Sequence, residues 1–178
     1  DKTLDLLEEL SRRTKLFVEL GLQTSNRKTA QLIRRGFSNE VFAKSVAALS
    51  DRGIPVTAHI IIGLPGENRS DVLNTVDFVN SLPIQGVKLQ LLHVLSDCDM
   101  AQMYLNGSYS PLSKEEYIAL VGSCIARLRP DIVIHRLTGD GNRKTLLAPR
   151  WSLNKRDVLN SLHRYLRDNQ ITQGIDFN

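Results

Sequence analysis

The sequence predicts an α/β fold with a mainly parallel sheet and helices on the outer face of that sheet. Between residues 16 and 92, apolar runs of strand length alternate with amphipathic segments of helix length, a pattern typical of right-handed strand–helix–strand crossovers. One run, His59 to Ile62, contains three consecutive β-branched residues and stops at a Gly-Leu-Pro-Gly turn over 63–66. A buried parallel strand ends in this way, because proline cannot extend a sheet and glycine permits a tight turn.

Each element of the first half of the chain has a local signal. The predicted elements are, in order, helix 4–13, strand 16–20, helix 26–35, helix 39–52 and strand 56–62. Thr3 is a residue type that caps helices, and leucines at 4, 7 and 10 give the first helix one apolar face. Gly36 and Gly53 follow the second and third helices, where a glycine commonly ends a helix.

The second half continues the alternation. The predicted elements are helix 70–82, strand 86–92, helix 113–128, strand 132–134 and helix 154–168. Ser113 and Glu116 have the spacing of a capping box at the start of helix 113–128. Four strands are too few to close an eight-stranded barrel. We therefore expect a partial, TIM-type half-barrel over residues 1–112, and a C-terminal helical extension with a basic loop over residues 113–178.

Composition limits the class of protein. The chain has 178 residues, which suffice for one domain with a sizeable core. No apolar run approaches the length of a membrane span, and the charged start Asp1–Asp5 is unlike a signal peptide. Cys98 and Cys124 lie 26 residues apart, a spacing that fits neither a metal site nor a disulfide framework. We therefore expect a cytoplasmic protein without a membrane partner.

The net charge of +4 is unevenly distributed. Residues 1–100 hold 12 Lys and Arg against 12 Asp and Glu, whereas residues 127–167 hold 10 against three. This asymmetry indicates an anionic partner for the C-terminal third of the chain. A solvated helix face explains the same charges equally well, so both interpretations stay open.

Three polar positions on the predicted strands are candidates for ligand binding. Glu19, Gly21 and Gln23 alternate onto one face of the first strand, and His59 interrupts an apolar strand. A buried carboxylate or amide needs hydrogen-bond partners, which either a polar ligand or the neighbouring strands can supply. His59 alone is more often a satisfied core histidine, and Arg35 at a helix end is expected from the helix dipole alone.

A loop region after the last short strand combines glycines, hydroxyls, cations and the single Trp of the chain. It runs through His135–Lys144 and Ala148–Lys155. Loops of this composition bind phosphates or carboxylates, although a polar loop held down by Trp151 is the plainer explanation. The candidate anion-binding residues are Arg136, Arg143, Lys144, Arg150 and Lys155. Because strand ends share one face in barrels, we expect this loop to lean over the same mouth as Gly63.

Taken together, these motifs resemble the radical SAM superfamily. The resemblance is carried by Gly21-Leu22-Gln23-Thr24, by Arg35 twelve residues after Gln23, and by the Gly-Leu-Pro-Gly turn. They match the branch that includes oxygen-independent coproporphyrinogen oxidase and the radical domain of the elongator acetyltransferase. Segments 91–95, 135–140 and 148–155 look more narrowly like the YhcC/YtqA-like subfamily of Fe–S oxidoreductases.

The resemblance implies a chemistry and a set of site residues. Such enzymes cleave S-adenosylmethionine reductively at a 4Fe–4S cluster, and the 5′-deoxyadenosyl radical abstracts a hydrogen atom from the substrate. Gln23 and Arg35 match residues that contact S-adenosylmethionine, and residues 60–63, with Ile61 and Gly63 among them, would flank its adenine. We expect Gln23, Arg35 and His59 to converge near Gly63, although His59 stands where coproporphyrinogen oxidase has an Asp. Glu19 is included as a further cofactor-binding candidate.

One departure from the family pattern concerns the cluster. The family holds its cluster with three closely spaced cysteines, and this sequence has no such triplet. We therefore expect the chain to be a C-terminal part of a longer enzyme and to be inactive alone. A sheet edge left by absent strands would invite self-association.

Two other functions are compatible with the sequence. Residues 127–167 could form a binding module for RNA, such as tRNA, or for another polyanion. The turn 63–66 could instead hold the phosphate of a substrate in an unrelated barrel enzyme, although no catalytic pair lies near it in the sequence.

Overall fold

A computed structural model describes residues 2–139 and 141–177. The helices are α1 (Lys2–Arg13), α2 (Arg27–Leu32), α3 (Asn39–Ser50), α4 (Arg69–Asn80), α5 (Met100–Leu105), α6 (Lys114–Arg127) and α7 (Lys155–Asp168), with a 3₁₀ turn at Arg150–Leu153. The strands are β1 (Val18–Gln23), β2 (Val56–Ile62), β3 (Gly86–Leu91), β4 (Val94–Leu95), β5 (Val133–Arg136) and β6 (Leu146–Ala148).

The main sheet is parallel and follows the order of the chain. Its four strands lie in the order β1-β2-β3-β5, and each neighbouring pair is parallel. This arrangement confirms the predicted α/β fold with a parallel sheet. Among the described residues this sheet has unpaired edges at β1 and at β5, and the predicted self-association through an exposed edge stays a prediction. β5 comes from the proposed C-terminal extension, and the division of the chain at residue 112 likewise stays a prediction.

One face of the sheet is covered by helices. The apolar residues that alternate along β2 and β3, together with buried residues of α3, α4 and α6, form one continuous core. This set includes Val56, Ala58, Ile60, Ile62, Val87, Leu89 and Leu91 from the strands. We call this side of the sheet the outer face. The helices that pack against it confirm the predicted position of the helices. The intervening side chains of the same strands lie on the opposite, inner face, because successive side chains alternate along a strand.

Helix ends follow the local sequence. The Ser113 hydroxyl accepts from the Glu116 amide, and the Glu116 carboxylate accepts from the Ser113 amide, so the predicted capping box is present. α2 ends three residues earlier than predicted. Arg34 has a φ of 54° and Gly36 a φ of 83°, and this left-handed backbone cannot continue a right-handed helix.

A small second layer covers the C-terminal end of the main sheet. β4 and β6 pair antiparallel, and their Val94 and Ala148 pack with Tyr109 in a separate apolar cluster that also contacts α5. The sequence did not predict this layer, because β4 and β6 are only two and three residues long. Strands this short have too few residues for a recognisable alternation.

Among the described residues, no helix is long and apolar enough to cross a membrane.

Candidate functional site

A cavity of about 1080 Å³ opens at the carboxyl end of β1 and β2. Its wall includes Glu19, Gly21 and Gln23 from β1, Ile61 from β2, and Arg35 from the segment after α2. Met100 and Met103 of α5 close it from the side of the second layer. Carboxyl ends of parallel strands are where α/β folds place their ligands. The cavity therefore lies where a cofactor or substrate site is expected for this fold.

Gln23 ends β1 in an unusual backbone conformation. Its φ is 59°, and the strand pairing with β2 shifts register between Gly21 and Gln23. The side chain folds back over Gly21, where its amide nitrogen donates to the carbonyls of Gly21 at 3.0 Å and Leu22 at 3.2 Å. A Cβ on Gly21 would clash with this amide. Glycine at position 21 thus makes room for the side chain that borders the cavity.

Arg35 is tied to the main chain around the end of β1. Its Nη1 donates to the carbonyls of Leu22 (3.1 Å) and Thr24 (2.7 Å), and its Nε donates to that of Phe37 (2.9 Å). Its Nη2 donates to Asn39 Oδ1 at 2.9 Å. Burial lowers the pKa of Arg35 from its ordinary value, but a guanidinium remains charged at any physiological pH. Four of its five N–H groups are therefore engaged in holding the cavity wall.

The inner face of the sheet carries a connected group of polar side chains. Glu19 Oε1 accepts from Lys88 Nζ at 2.5 Å, and Glu19 Oε2 lies 2.8 Å from His59 Nε2. Gln90 Nε2 lies 3.1 Å from His59 Nδ1. An ionised carboxylate only accepts, so this network assigns the proton of neutral His59 to Nε2, with Nδ1 accepting from Gln90. The bond from Lys88 is the main reason that the pKa of Glu19 lies below its ordinary value.

His59 and Gly63 do not line the cavity. His59 is half-buried on the inner face behind Glu19, to which it is bonded. The Gly63 carbonyl accepts from the Tyr109 hydroxyl at 2.7 Å, and a Cβ at position 63 would lie 3.2 Å from Leu112. The structure thus brings Glu19, Gln23, Arg35 and Ile61 together at one cavity, whereas Gly63 is covered by the segment before α6.

The turn after β2 is anchored to the end of β1 by the half-buried carboxylate of Glu67. The Thr24 hydroxyl donates to Glu67 Oε1 at 2.5 Å, and the Ser25 amide donates to Thr75 Oγ1 at 2.9 Å. Burial raises the pKa of Glu67 above its ordinary value despite the bond from Thr24. These bonds fix the two strand ends relative to each other, and thereby fix one side of the cavity.

The five predicted anion-binding residues do not border the cavity wall. Arg136 ends β5 beside Lys88, its register partner on β3. Arg143, Lys144, Arg150 and Lys155 are exposed on the loop and at the start of α7. Asp140, which belongs to the same motif, lies outside the described residues.

The loop that carries these cations is held against the end of β3. A Cβ at Gly139 would lie 3.0 Å from the His93 ring and 3.7 Å from the Leu91 carbonyl. His93 Nε2 lies 3.1 Å from Ser152 Oγ, and Trp151 Nε1 donates to the Leu112 carbonyl at 3.1 Å. Trp151 therefore packs the loop down, and the binding of anions by the exposed cations of the loop stays a prediction.

The chain does not fit an iron–sulfur cluster of its own. The described residues contain no group of three or more His, Cys, Asp or Glu side chains that could hold a metal ion. Cys98 is exposed, and Cys124 is buried in the core, where burial raises the pKa of its thiol to about 12. Cluster ligation needs several thiolates at one place, and the two cysteines cannot supply it.

Two family models account for most of the chain. Residues 1–79 match the radical SAM superfamily, and residues 84–168 match the Radical_SAM C-terminal domain. The chain belongs to the radical SAM superfamily. The predicted resemblance is therefore confirmed, and the cavity and inner face described above lie in the part of the chain matched by the first model and at the start of the second.

Several curated proteins are similar in sequence to this chain. The chain is 39% identical to the uncharacterized protein YtqA of Bacillus subtilis over 98% of its length, and 33% identical to protein YhcC of Escherichia coli over 96%. It covers 54% and 56% of those proteins, so it spans about half the length of the curated relatives it matches. A tRNA uridine(34) acetyltransferase of Methanocaldococcus jannaschii is 27% identical over 58% of the chain and 20% of that protein.

A solved structure supports the fold. Elp3 of Methanocaldococcus infernus, determined without its N-terminal residues, superposes with a TM-score of 0.77 at 17% identity. The match covers 95% of this chain and 40% of Elp3. At that identity the likeness concerns the fold alone.

Several features of the site were absent from the sequence interpretation. Lys88 and Gln90 alternate on β3 in the way that Glu19 and Gln23 do on β1, so the same alternation could have found them. The ion pair between Arg34 and Asp99 joins the segment after α2 to the start of α5 beside the cavity. No sequence signal links these two residues, which lie 65 positions apart and on segments without a predicted contact.

Proposed function

We propose that the protein to which this chain belongs binds S-adenosylmethionine, cleaves it reductively and modifies a substrate by radical chemistry. The observation that carries this proposal is the cavity of about 1080 Å³ at the carboxyl end of β1 and β2. Ligand pockets typically measure about 300–1,000 Å³ and combine apolar walls with a few polar groups. Ile61 and the methionines of α5 supply the apolar wall, and Glu19, Gln23 and Arg35 supply the polar groups.

The residues of this chain bind and orient the cofactor in this proposal. S-adenosylmethionine supplies the radical in this family. The cysteines that hold the iron–sulfur cluster would come from outside this chain. Ile61 offers an apolar surface for the adenine, and the Gln23 amide can exchange its local carbonyl bonds for polar groups of the ligand. Arg35 retains one N–H on Nη2 beyond its four bonds, which suits the carboxylate of the amino-acid moiety. The roles of His59 and Gly63 stay predictions.

The substrate in this proposal is anionic, and tRNA is the candidate. Two distant relatives carry the name of a tRNA uridine(34) acetyltransferase, and two others that of a tRNA-2-methylthio-N(6)-dimethylallyladenosine synthase. The exposed cations Arg143, Lys144, Arg150 and Lys155 give the C-terminal third a surface suited to phosphates. The free thiols Cys98 and Cys124 are in keeping with a reducing, cytoplasmic location.

The test uses the full-length protein, purified without oxygen and reconstituted with iron and sulfide. With dithionite and S-adenosylmethionine, we expect formation of 5′-deoxyadenosine, measured by liquid chromatography. Residues 1–178 alone should form none, because their described residues hold no cluster site. Absence of 5′-deoxyadenosine from a preparation whose cluster is verified by its absorbance and iron content would contradict the proposal.

A second candidate function is RNA or polyanion binding by residues 127–167 without radical chemistry. The favouring observation is that most cations of this segment are exposed on the loop and on α7, whose buried residues are Val158 and Leu162. Phosphate contacts weaken binding by roughly 0.9 log units per contact for each tenfold rise in salt. A salt titration of tRNA binding with Arg143→Glu and Lys144→Glu, with Lys44→Glu on α3 as the control, tests it. An unchanged slope in the loop variants would refute this function.

A further inference from the structure

The inner face of the sheet combines one carboxylate with several basic or imidazole side chains. Its inward positions include His59 on β2, Lys88 on β3 and His135 on β5. The ring of His135 lies against Gly86, since a Cβ there would come within 2.5 Å of His135 Nε2. Within the described residues of these four strands, Glu19 is the single acidic residue. This carboxylate contacts the imidazole of His59 and the ammonium of Lys88.

Register places a further cation in the same row. Across the sheet, His59 pairs with Lys88, and Lys88 pairs with Arg136 beyond a register shift at which His135 and Arg136 both stand opposite Lys88. Register partners on adjacent strands are the closest side-chain neighbours that a sheet offers. The row thus runs from β2 to β5 with basic or imidazole side chains at each strand.

Lys88 is the centre of this row. Its side chain is 16% exposed, and an ammonium with so little water needs compensating negative charge. Among the described residues, Glu19 is the acceptor that provides it, at 2.5 Å. An ammonium has three donors, so an oxyanion that replaces Glu19 can accept from more than one of them.

Glu19 is placed to be displaced. Its side chain is 48% exposed and lines the cavity, whereas Lys88 and His59 lie behind it and are not part of the cavity wall. It holds Lys88 with one oxygen and His59 with the other. Its lowered pKa keeps it ionised at neutral pH, so it both neutralises Lys88 and repels a second anion.

We propose that Lys88 binds an oxyanion, a phosphate or carboxylate group that enters from the cavity, and that Glu19 is the built-in counter-ion which this group displaces. The inference rests on the proposed function, because it assigns the oxyanion to the substrate rather than to the cofactor. His59, released from Glu19, offers its Nε2–H to the same group. Glu19 keeps Lys88 neutralised while the site awaits that group.

The test is a titration of the full-length protein with inorganic phosphate at constant ionic strength, with chloride as the reference anion. The imidazole NMR signal of His59 reports binding and is assigned from its loss in His59→Gln. We expect a saturable shift with phosphate in the wild type. Lys88→Met should weaken this binding by about ten- to a hundredfold, the usual loss for a charged hydrogen bond. Glu19→Gln should strengthen it by roughly tenfold, since a like charge beside a bound anion costs affinity.

The opposite signs of these two variants distinguish binding from a structural role. If Lys88 and Glu19 only stabilised the sheet, both variants would lower the melting temperature and neither would change phosphate affinity. Lys44→Met, an exposed lysine on α3, should leave phosphate affinity unchanged. Phosphate that acts on His59 no differently from chloride, or equal affinities in wild type, Lys88→Met and Glu19→Gln, would overturn the proposal.

The source of the oxyanion is tested with S-adenosylmethionine in the same variants. If Lys88→Met weakens phosphate binding and leaves S-adenosylmethionine affinity within about twofold, the oxyanion belongs to the substrate. If both affinities fall together, the site holds the carboxylate of S-adenosylmethionine, and the assignment to the substrate is wrong. Phosphate binding does not require cleavage chemistry. A protein that forms no 5′-deoxyadenosine but shows these phosphate affinities would therefore refute the proposed function and keep the oxyanion site.

Discussion

The two faces of the same sheet differ in what their side chains contact. On the outer face, Ile60 and its alternate neighbours are buried against α3, α4 and α6 and contribute packing. On the inner face, one residue along the strand, Ile61 lines a cavity and His59 is bonded to Glu19 and Gln90. A strand of seven residues therefore carries both the core and the site, and adjacent substitutions should separate stability from binding.

The largest expected effect comes from adjacent isoleucines on β2. Ile60 is 1% exposed, and Ile60→Ala should lower the free energy of unfolding by about 2–5 kcal/mol, as truncations in a packed core do. Ile61→Ala removes the same atoms from a cavity wall that is already open, so it should cost less than about 1.5 kcal/mol. Urea unfolding of both variants checks the difference. Equal losses would mean that the inner face is packed as tightly as the outer one.

An intermediate effect is expected at two neighbouring arginines. Arg35→Ala removes four hydrogen bonds from the end of β1, so we expect a loss of about 1.5–3 kcal/mol in unfolding free energy and weaker S-adenosylmethionine binding. Arg34 makes an exposed ion pair with Asp99, and Arg34→Ala should cost about 0–1 kcal/mol. Thermal unfolding compares the two. A cost at Arg34 that matched Arg35 would show that the link to α5 holds the cavity together.

The smallest expected effect concerns the pH dependence of stability, to which two carboxylates should contribute with opposite signs. The folded-state pKa of Glu19 lies below its ordinary value of 4.5, chiefly through Lys88. Glu19 therefore adds stability above pH 4.5, which is lost as the pH falls through the lower folded value. Burial raises the folded-state pKa of Glu67 above 4.5. Glu67 therefore costs stability at neutral pH, and this cost is relieved as the pH falls through its folded value towards 4.5.

The two glutamine variants test these signs in unfolding measurements between pH 3 and pH 8. In Glu19→Gln, the free energy of unfolding should decrease less at low pH than it does in the wild type. Glu67→Gln should raise stability at neutral pH relative to the wild type, because an amide keeps an acceptor for Thr24 without the half-buried charge. Identical pH profiles for wild type and both variants would contradict the opposing environments of the two carboxylates.

The outer face was predictable from the sequence because its buried apolar residues recur at every second position along a strand. The strand at 56–62 matches β2 at both ends, and the apolar residues that alternate along it are those of the core. Ser113 and Glu116 were predicted as a capping box for a similar reason, since both partners lie within one helical turn. Local chemistry of this kind needs no knowledge of the rest of the fold.

The inner face was predictable only in part. The alternation of side chains along the strands identified Glu19, Gln23 and His59 as candidates. Their partners come from strands far along the chain: Lys88 is 69 positions from Glu19. The covering of Gly63 by Tyr109 and Leu112 could not be foreseen, because it depends on a segment between α5 and α6 without a periodic pattern. The engagement of Arg35 with main-chain carbonyls likewise follows from the bent end of β1, where Gln23 has a positive φ.

The most direct test of the account is the affinity of the full-length protein for S-adenosylmethionine, measured by isothermal titration calorimetry without oxygen. Gln23→Ala removes an amide at the cavity wall, and Gln31→Ala removes the same amide from the exposed face of α2. We expect Gln23→Ala to weaken binding by about three- to tenfold, the effect of one neutral hydrogen bond, with unfolding measured alongside to exclude a stability effect. Gln31→Ala should bind as the wild type does. Equal affinities in all three proteins would show that the cofactor does not occupy this cavity.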